Sequence, residues 1–123
     1  MLTKLAWLLL AAIHFMPAIA AIRPTMLTTL YGTESGSTAF LLIQHRAMLF
    51  AAVLATCIWA ALAPEVRRLA VVVTSISMLG FLALYWRGGA PEALRTIALV
   101  DLIGLPVLAY AAWDAFGPAG TQQ

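Results

Sequence analysis

Residues 39–62 read AFLLIQHRAMLFAAVLATCIWAAL, a run in which Arg46 is the one formal charge. As a helix rising about 1.5 Å per residue it is long enough to cross a hydrocarbon core roughly 30 Å thick. It is rich in Leu and Ala and has no two-residue alternation, so a membrane strand is a poor reading. Three further stretches have the same character: 4–22, 68–86 and 92–114. The segments between them carry turn chemistry. Arg23-Pro24 closes the first, and Gly-Thr-Glu-Ser-Gly-Ser-Thr from Gly32 leads into the second. Pro64-Glu65 with Arg67-Arg68 divides the second from the third, and Gly88-Gly89-Ala90-Pro91 divides the third from the fourth.

Composition supports the same reading. Of 123 residues, 63% are apolar and 10% are charged, against about 25% charged in a soluble domain. Folded soluble chains have too little interior to hide so many large apolar side chains. The expectation is an all-α, integral membrane four-helix bundle in the lipid bilayer, one domain over 1–123, with both termini on the same side. The tail, 115–123, is expected to be flexible. A net charge of +2, from basic residues that form no stripe, excludes a nucleic-acid partner. The single Cys57 reads as a small buried hydrophobe.

The aromatic residues fit this register. Trp7, Trp59, Tyr110 and Trp113 are expected at one membrane interface, and Tyr31, Tyr85 and Trp86 at the other. Lys4 followed by an apolar run and Ala18-Ile19-Ala20 also resembles a signal peptide. The segment is read as a retained span; its cleavage would leave three spans and remove His14. Basic residues near the span ends divide three to three between the two faces, so the positive-inside rule does not discriminate. The basic flank of the first span favours termini inside.

Ionisable residues within a span are expensive, and so are functional candidates. There are four: His14, His45, Arg46 and Asp101. His14 falls about 12 Å below Ile22, and His45 and Arg46 roughly 9 to 11 Å below Ala39. Asp101 falls about 14 Å below Glu92, and Ser77 about 14 Å below Trp86. All these span ends belong to one membrane face, so the five polar residues share a layer. Small-residue stripes accompany them: Ala11, His14, Ala18 and Ala21; Ala70, Val73, Ser77 and Gly80; Ala98, Asp101 and Gly104. Such stripes let helices pack closely in a bilayer, so the polar groups are expected to point inward.

Three uses of that layer stand open. Arg46 and Asp101 could pair, with His14, His45 and Ser77 completing a structural network. The layer could hold a small molecule or cofactor, or conduct protons or ions. Haem would take His14 and His45 as axial ligands, with Arg46 on a propionate. A quinone would need less room, its oxygens met by His with Asp or Arg. Two His and one Asp make a weak zinc set with no spacing motif, and no metal is expected. Met48 and Met78 are expected to fill core gaps. Met26, Leu27, Leu30 and Tyr31 suggest a short interfacial helix, with Tyr31 as the lid over the layer. Pro17 and Pro106 free backbone carbonyls close by. A phosphate loop, a Gly-x-Ser-x-Gly elbow, a Cys pair and a His-x-Gly-His nucleotidyltransferase motif are all missing from the sequence. The reading therefore leans away from an enzyme, with no catalytic residue assigned.

Leu30-Tyr31-Gly32, His45-Arg46-Ala47 with Leu49-Phe50, and Val100-Asp101 with Gly104 carry a family resemblance. The chain resembles small bacterial four-span membrane proteins broadly similar to the DoxX-like class. That resemblance implies a multi-pass protein of the bacterial inner (cytoplasmic) membrane. Because DoxX-like proteins of known role act near respiratory quinone chemistry, it tilts the pocket toward a quinone or lipid-like ligand. On this view the chain is a ligand-binding or redox-accessory protein, with His45 and Asp101 as its hydrogen-bonding or proton-handling pair. The competing view is a structural subunit, as a homo-oligomer or within a larger membrane complex.

Overall fold

The structure, a computed structural model, describes residues 1–31, 34 and 36–118, without the side chains of Pro24, Leu27, Leu30 and Tyr31. Helix α1 spans Leu2–Ile19, α2 Pro24–Tyr31, α3 Thr38–Leu62, α4 Arg67–Arg87 and α5 Arg95–Phe116. Single 3-10 turns, Pro64–Val66 and Glu92–Leu94, lead into α4 and α5. Local chemistry sets these limits. Helix α3 starts where Ser37 Oγ accepts the Phe40 N–H at 3.0 Å, an N-cap bond. It stops before Pro64, which cannot donate to the Ala60 carbonyl. Helix α1 ends at Ile19 rather than near Ile22, and Pro24 begins α2 with its φ already suited to a first turn. The α4–α5 reversal uses left-handed φ at Gly89 (83°) and Ala90 (51°).

Helix α1 packs on α3 and α5, and α4 packs on the same two, so the four long helices form a square bundle. All four are long and apolar enough to cross a membrane. The core is built mainly from Trp7, Leu10, Cys57, Met78, Leu108 and small alanines. The outside is no less apolar: Ile76 is 70% exposed and Ile103 75%. A surface of this kind is stable against lipid and not against water, which makes this a multi-pass membrane protein. Residues 119–123, most of the expected tail, lie outside the described residues.

Several sequence expectations change. Trp7 is fully buried and belongs to the core, not to an interfacial belt; Trp59, Trp86 and Trp113 are exposed, as belt residues must be. Met48 is exposed, whereas Met78 does fill the core. The buried face of α4 runs through Ala70, Val71, Thr74, Met78 and Phe81. It is rotated from the expected stripe, because the bulky Met78 and Phe81 are the side chains that reach the interior, and Gly80 faces open space.

Gly104 is the true small-residue contact. A Cβ there would lie 2.5 Å from Ile13 Cδ1 and 2.8 Å from Met78 Cε. Both neighbours are flexible tips, so Gly104→Ala is expected to cost about 1 kcal/mol of overpacking, read as a fall in unfolding free energy in SDS–detergent titration.

The end of the bundle that carries both termini is tied by polar bonds. Arg67, a buried residue, donates through Nε to the Ala60 carbonyl at 3.1 Å, replacing the donor that Pro64 lacks. Its Nη1 meets Asp114 Oδ2 at 3.4 Å, and Thr3 Oγ1 donates to Asp114 Oδ1 at 3.0 Å. Arg68 Nε donates to the orphan carbonyl of Ala115 at 3.1 Å. This network links α1, α3, α4 and α5 at one end.

Candidate functional site

The opposite half of the bundle holds His14, Arg46, Ser77 and Asp101. Counting about 1.5 Å per residue from the observed helix ends, His14, Asp101, Arg46 and Ser77 lie about 8, 9, 12 and 15 Å deep. Each helix presents its polar residue on one face together with a partner one turn away. Helix α1 presents His14 and α5 presents Asp101, while α3 adds Arg46 with Phe50 and α4 adds Ser77 with Phe81.

His14 is buried and both of its ring nitrogens are engaged. Nδ1 donates to the Leu10 carbonyl at 2.8 Å, since a carbonyl oxygen only accepts. In the neutral ring, Nε2 then accepts from Ser77 Oγ at 3.2 Å. The imidazole also lies 6.1 Å from the Phe50 ring, centroid to centroid. The Arg46 guanidinium sits between two aromatic faces, 5.2 Å from the Phe50 centroid and 5.2 Å from that of Phe81. Cation–π contact is favourable where water is scarce. Phe50 and Phe81 went unnoticed as site residues in the sequence, although each stands four positions after a polar candidate.

Asp101 has a different environment. It is 7% exposed. Among the described residues its carboxyl group has no hydrogen bond, and the ion pairs there are Arg67–Asp114 and Arg95–Glu92. The expected Arg46–Asp101 pair is therefore not made. What the carboxyl group faces is a cavity of about 200 Å³ between α1 and α5, with Phe50 on its inner wall. Pro17, Ile13, Ile97 and Val100 supply most of the apolar lining, and His14, Asp101 and Thr96 the polar part. Met16 and Val100 border it and are exposed, so the cavity opens toward lipid. Pro17 carries no N–H, so the Ile13 carbonyl lacks its usual helical donor beside this space.

His45 does not join the site. It is exposed on the outside of α3, because it stands two positions from the buried Ala47, about 200° around a helix of 3.6 residues per turn. Haem does not fit these residues. His14 has no free nitrogen, His45 faces away, and about 200 Å³ is below the roughly 300 to 1,000 Å³ of ordinary ligand pockets. No group of three potential metal ligands occurs among the described residues. The expected short helix is present as α2, packed on α3 and on the Glu92–Leu94 turn. The side chain of Tyr31, its expected lid, lies outside the described residues.

The cavity, the unpartnered Asp101 and the aromatic clamp on Arg46 thus form one site in the loop-side half of the bundle. No protein-family model, curated protein or solved structure matches the chain.

Proposed function

We propose that this protein binds a small lipophilic molecule, which enters sideways from the bilayer and seats its polar head between α1 and α5. The observation that carries the reading is Asp101: buried, without a hydrogen bond or ion pair, and facing the cavity. A carboxyl group held this way in a bilayer has a desolvation cost that no hydrogen bond or ion pair among the described residues offsets. A bound head group would supply the missing partner. The size is that of one substituted six-membered ring, since an apolar cavity of about 150 Å³ accommodates benzene. A quinone-type or lipid-like ligand, and a redox-accessory role beside a respiratory chain, suit this size. A DoxX-like affiliation and a bacterial inner-membrane location belong to the same proposal and rest on the motifs at His45-Arg46-Ala47 and Val100-Asp101.

Excising the protein in native nanodiscs and extracting the bound molecules for mass spectrometry tests the reading. One lipophile is expected in stoichiometric amount with the wild type. It is expected to fall to background with Val100→Trp, whose indole would cover the mouth. Equal yields from both proteins, or none from either, would contradict the proposal.

A second reading, a subunit of a larger membrane assembly, draws on His45, a polar ring exposed on the outer face of α3. Chains copurifying in the same nanodiscs, and lost with His45→Leu, would support it.

A further inference from the structure

The hydrogen-bonding character of the cavity restricts what its ligand offers. The His14 donor is already committed: Nδ1–H is given to the Leu10 carbonyl, and Nε2 is held by Ser77 behind the lining. Acceptors remain: the Asp101 carboxyl group has no hydrogen bond among the described residues, and Pro17 has no N–H to give the Ile13 carbonyl. Thr96, at the outer edge, serves either way.

Charge narrows the class further. Arg46 makes no ion pair among the described residues; its guanidinium lies against the Phe50 and Phe81 rings. A charged head group would bring a further charge into the hydrocarbon region at high cost, because Arg46 does not line the cavity. A neutral one brings none.

We infer that the head group is a neutral hydrogen-bond donor, a hydroxyl-bearing ring of phenol or hydroquinone type, which donates to Asp101. The inference rests on the lipophile-binding reading above and adds the head-group chemistry.

Two probes of nearly equal shape test this in the full chain in nanodiscs: para-heptylphenol and its methyl ether, para-heptylanisole. The chain has two aspartates, so carboxyl-labelled Asp gives two carbon resonances, with Asp114 as the internal reference. The Met16 methyl group, at the mouth, reports occupancy whatever the head group. The phenol is expected to bind about ten-fold more tightly than the ether, the scale of one buried hydrogen bond. With the phenol the Asp101 resonance moves and that of Asp114 does not. In Asp101→Leu the preference should fall to about two-fold or less, the ring contacts being common to both probes. A Met16 response of equal strength to both probes would overturn the donor inference and leave the binding reading standing. No Met16 response to either would overturn both.

Discussion

Replacing Arg67 by methionine is expected to lower the unfolding free energy by about 3 kcal/mol, the range for removing one partner of a largely buried, hydrogen-bonded ion pair. Arg67 keeps two groups satisfied at once. Its Nε serves the Ala60 carbonyl, which Pro64 cannot serve, and its Nη1 reaches Asp114 at 3.4 Å. Methionine fills most of the volume and leaves both acceptors without that donor. Asp114 keeps the Thr3 hydroxyl and some solvent, its side chain being 26% exposed, so the loss stays short of the upper end of that range. Arg95→Ala is the control: its pair with Glu92 is exposed on both sides and is expected to be worth about 0.5 kcal/mol or less. SDS–detergent unfolding of the two variants beside wild type gives the comparison. Similar values for both would mean that the terminal network does not hold the bundle closed.

Asp101→Leu is expected to cut retained lipophile to about a tenth of wild type, the effect of losing one buried hydrogen bond. Leucine has the branched shape of aspartate with two methyl groups in place of the oxygens and leaves Phe50, Pro17 and Ile97 in place, so the apolar part of the site persists. What disappears is the polar contact that orients the head. Ser77→Ala is the companion variant. It frees His14 Nε2 without changing the cavity lining, and retention should change by less than about two-fold, because neither atom donates to the ligand. Quantitative extraction from nanodiscs reads both. Undiminished retention in Asp101→Leu would remove the carboxyl group from the account.

Much of this was legible in the sequence. Apolar run length and Gly/Pro punctuation located four spans, and the rarity of charges inside them singled out His14, Arg46 and Asp101. Helical phase was harder to read, and it decided the rest. His45 and Arg46 are adjacent, yet one faces outward and the other is partly enclosed, which depends on the side of α3 that α1 covers. Trp7 has the composition of a belt residue, but the core beside it is largely alanine and has room for an indole. Opposite charge at similar depth suggested an Arg46–Asp101 pair. The aromatic faces of Phe50 and Phe81 hold the guanidinium elsewhere, and the ion pair of the bundle forms at the other end, from two residues that sequence reading placed at span ends. Proline as a remover of donors was a readable signal. Its consequence at Ala60, an arginine brought inward, needed the three-dimensional arrangement.

The most direct test of the central claim is the unfolding free energy of Asp101→Leu in protein stripped of bound lipophile. If Asp101 is an unpaired carboxyl group kept for a ligand, the apolar replacement removes an uncompensated desolvation cost. The variant should then be more stable than wild type, by about 1 kcal/mol. If the carboxyl group instead closes a structural network with Arg46, the variant should lose about 2 kcal/mol or more, and the ligand-site account would be contradicted.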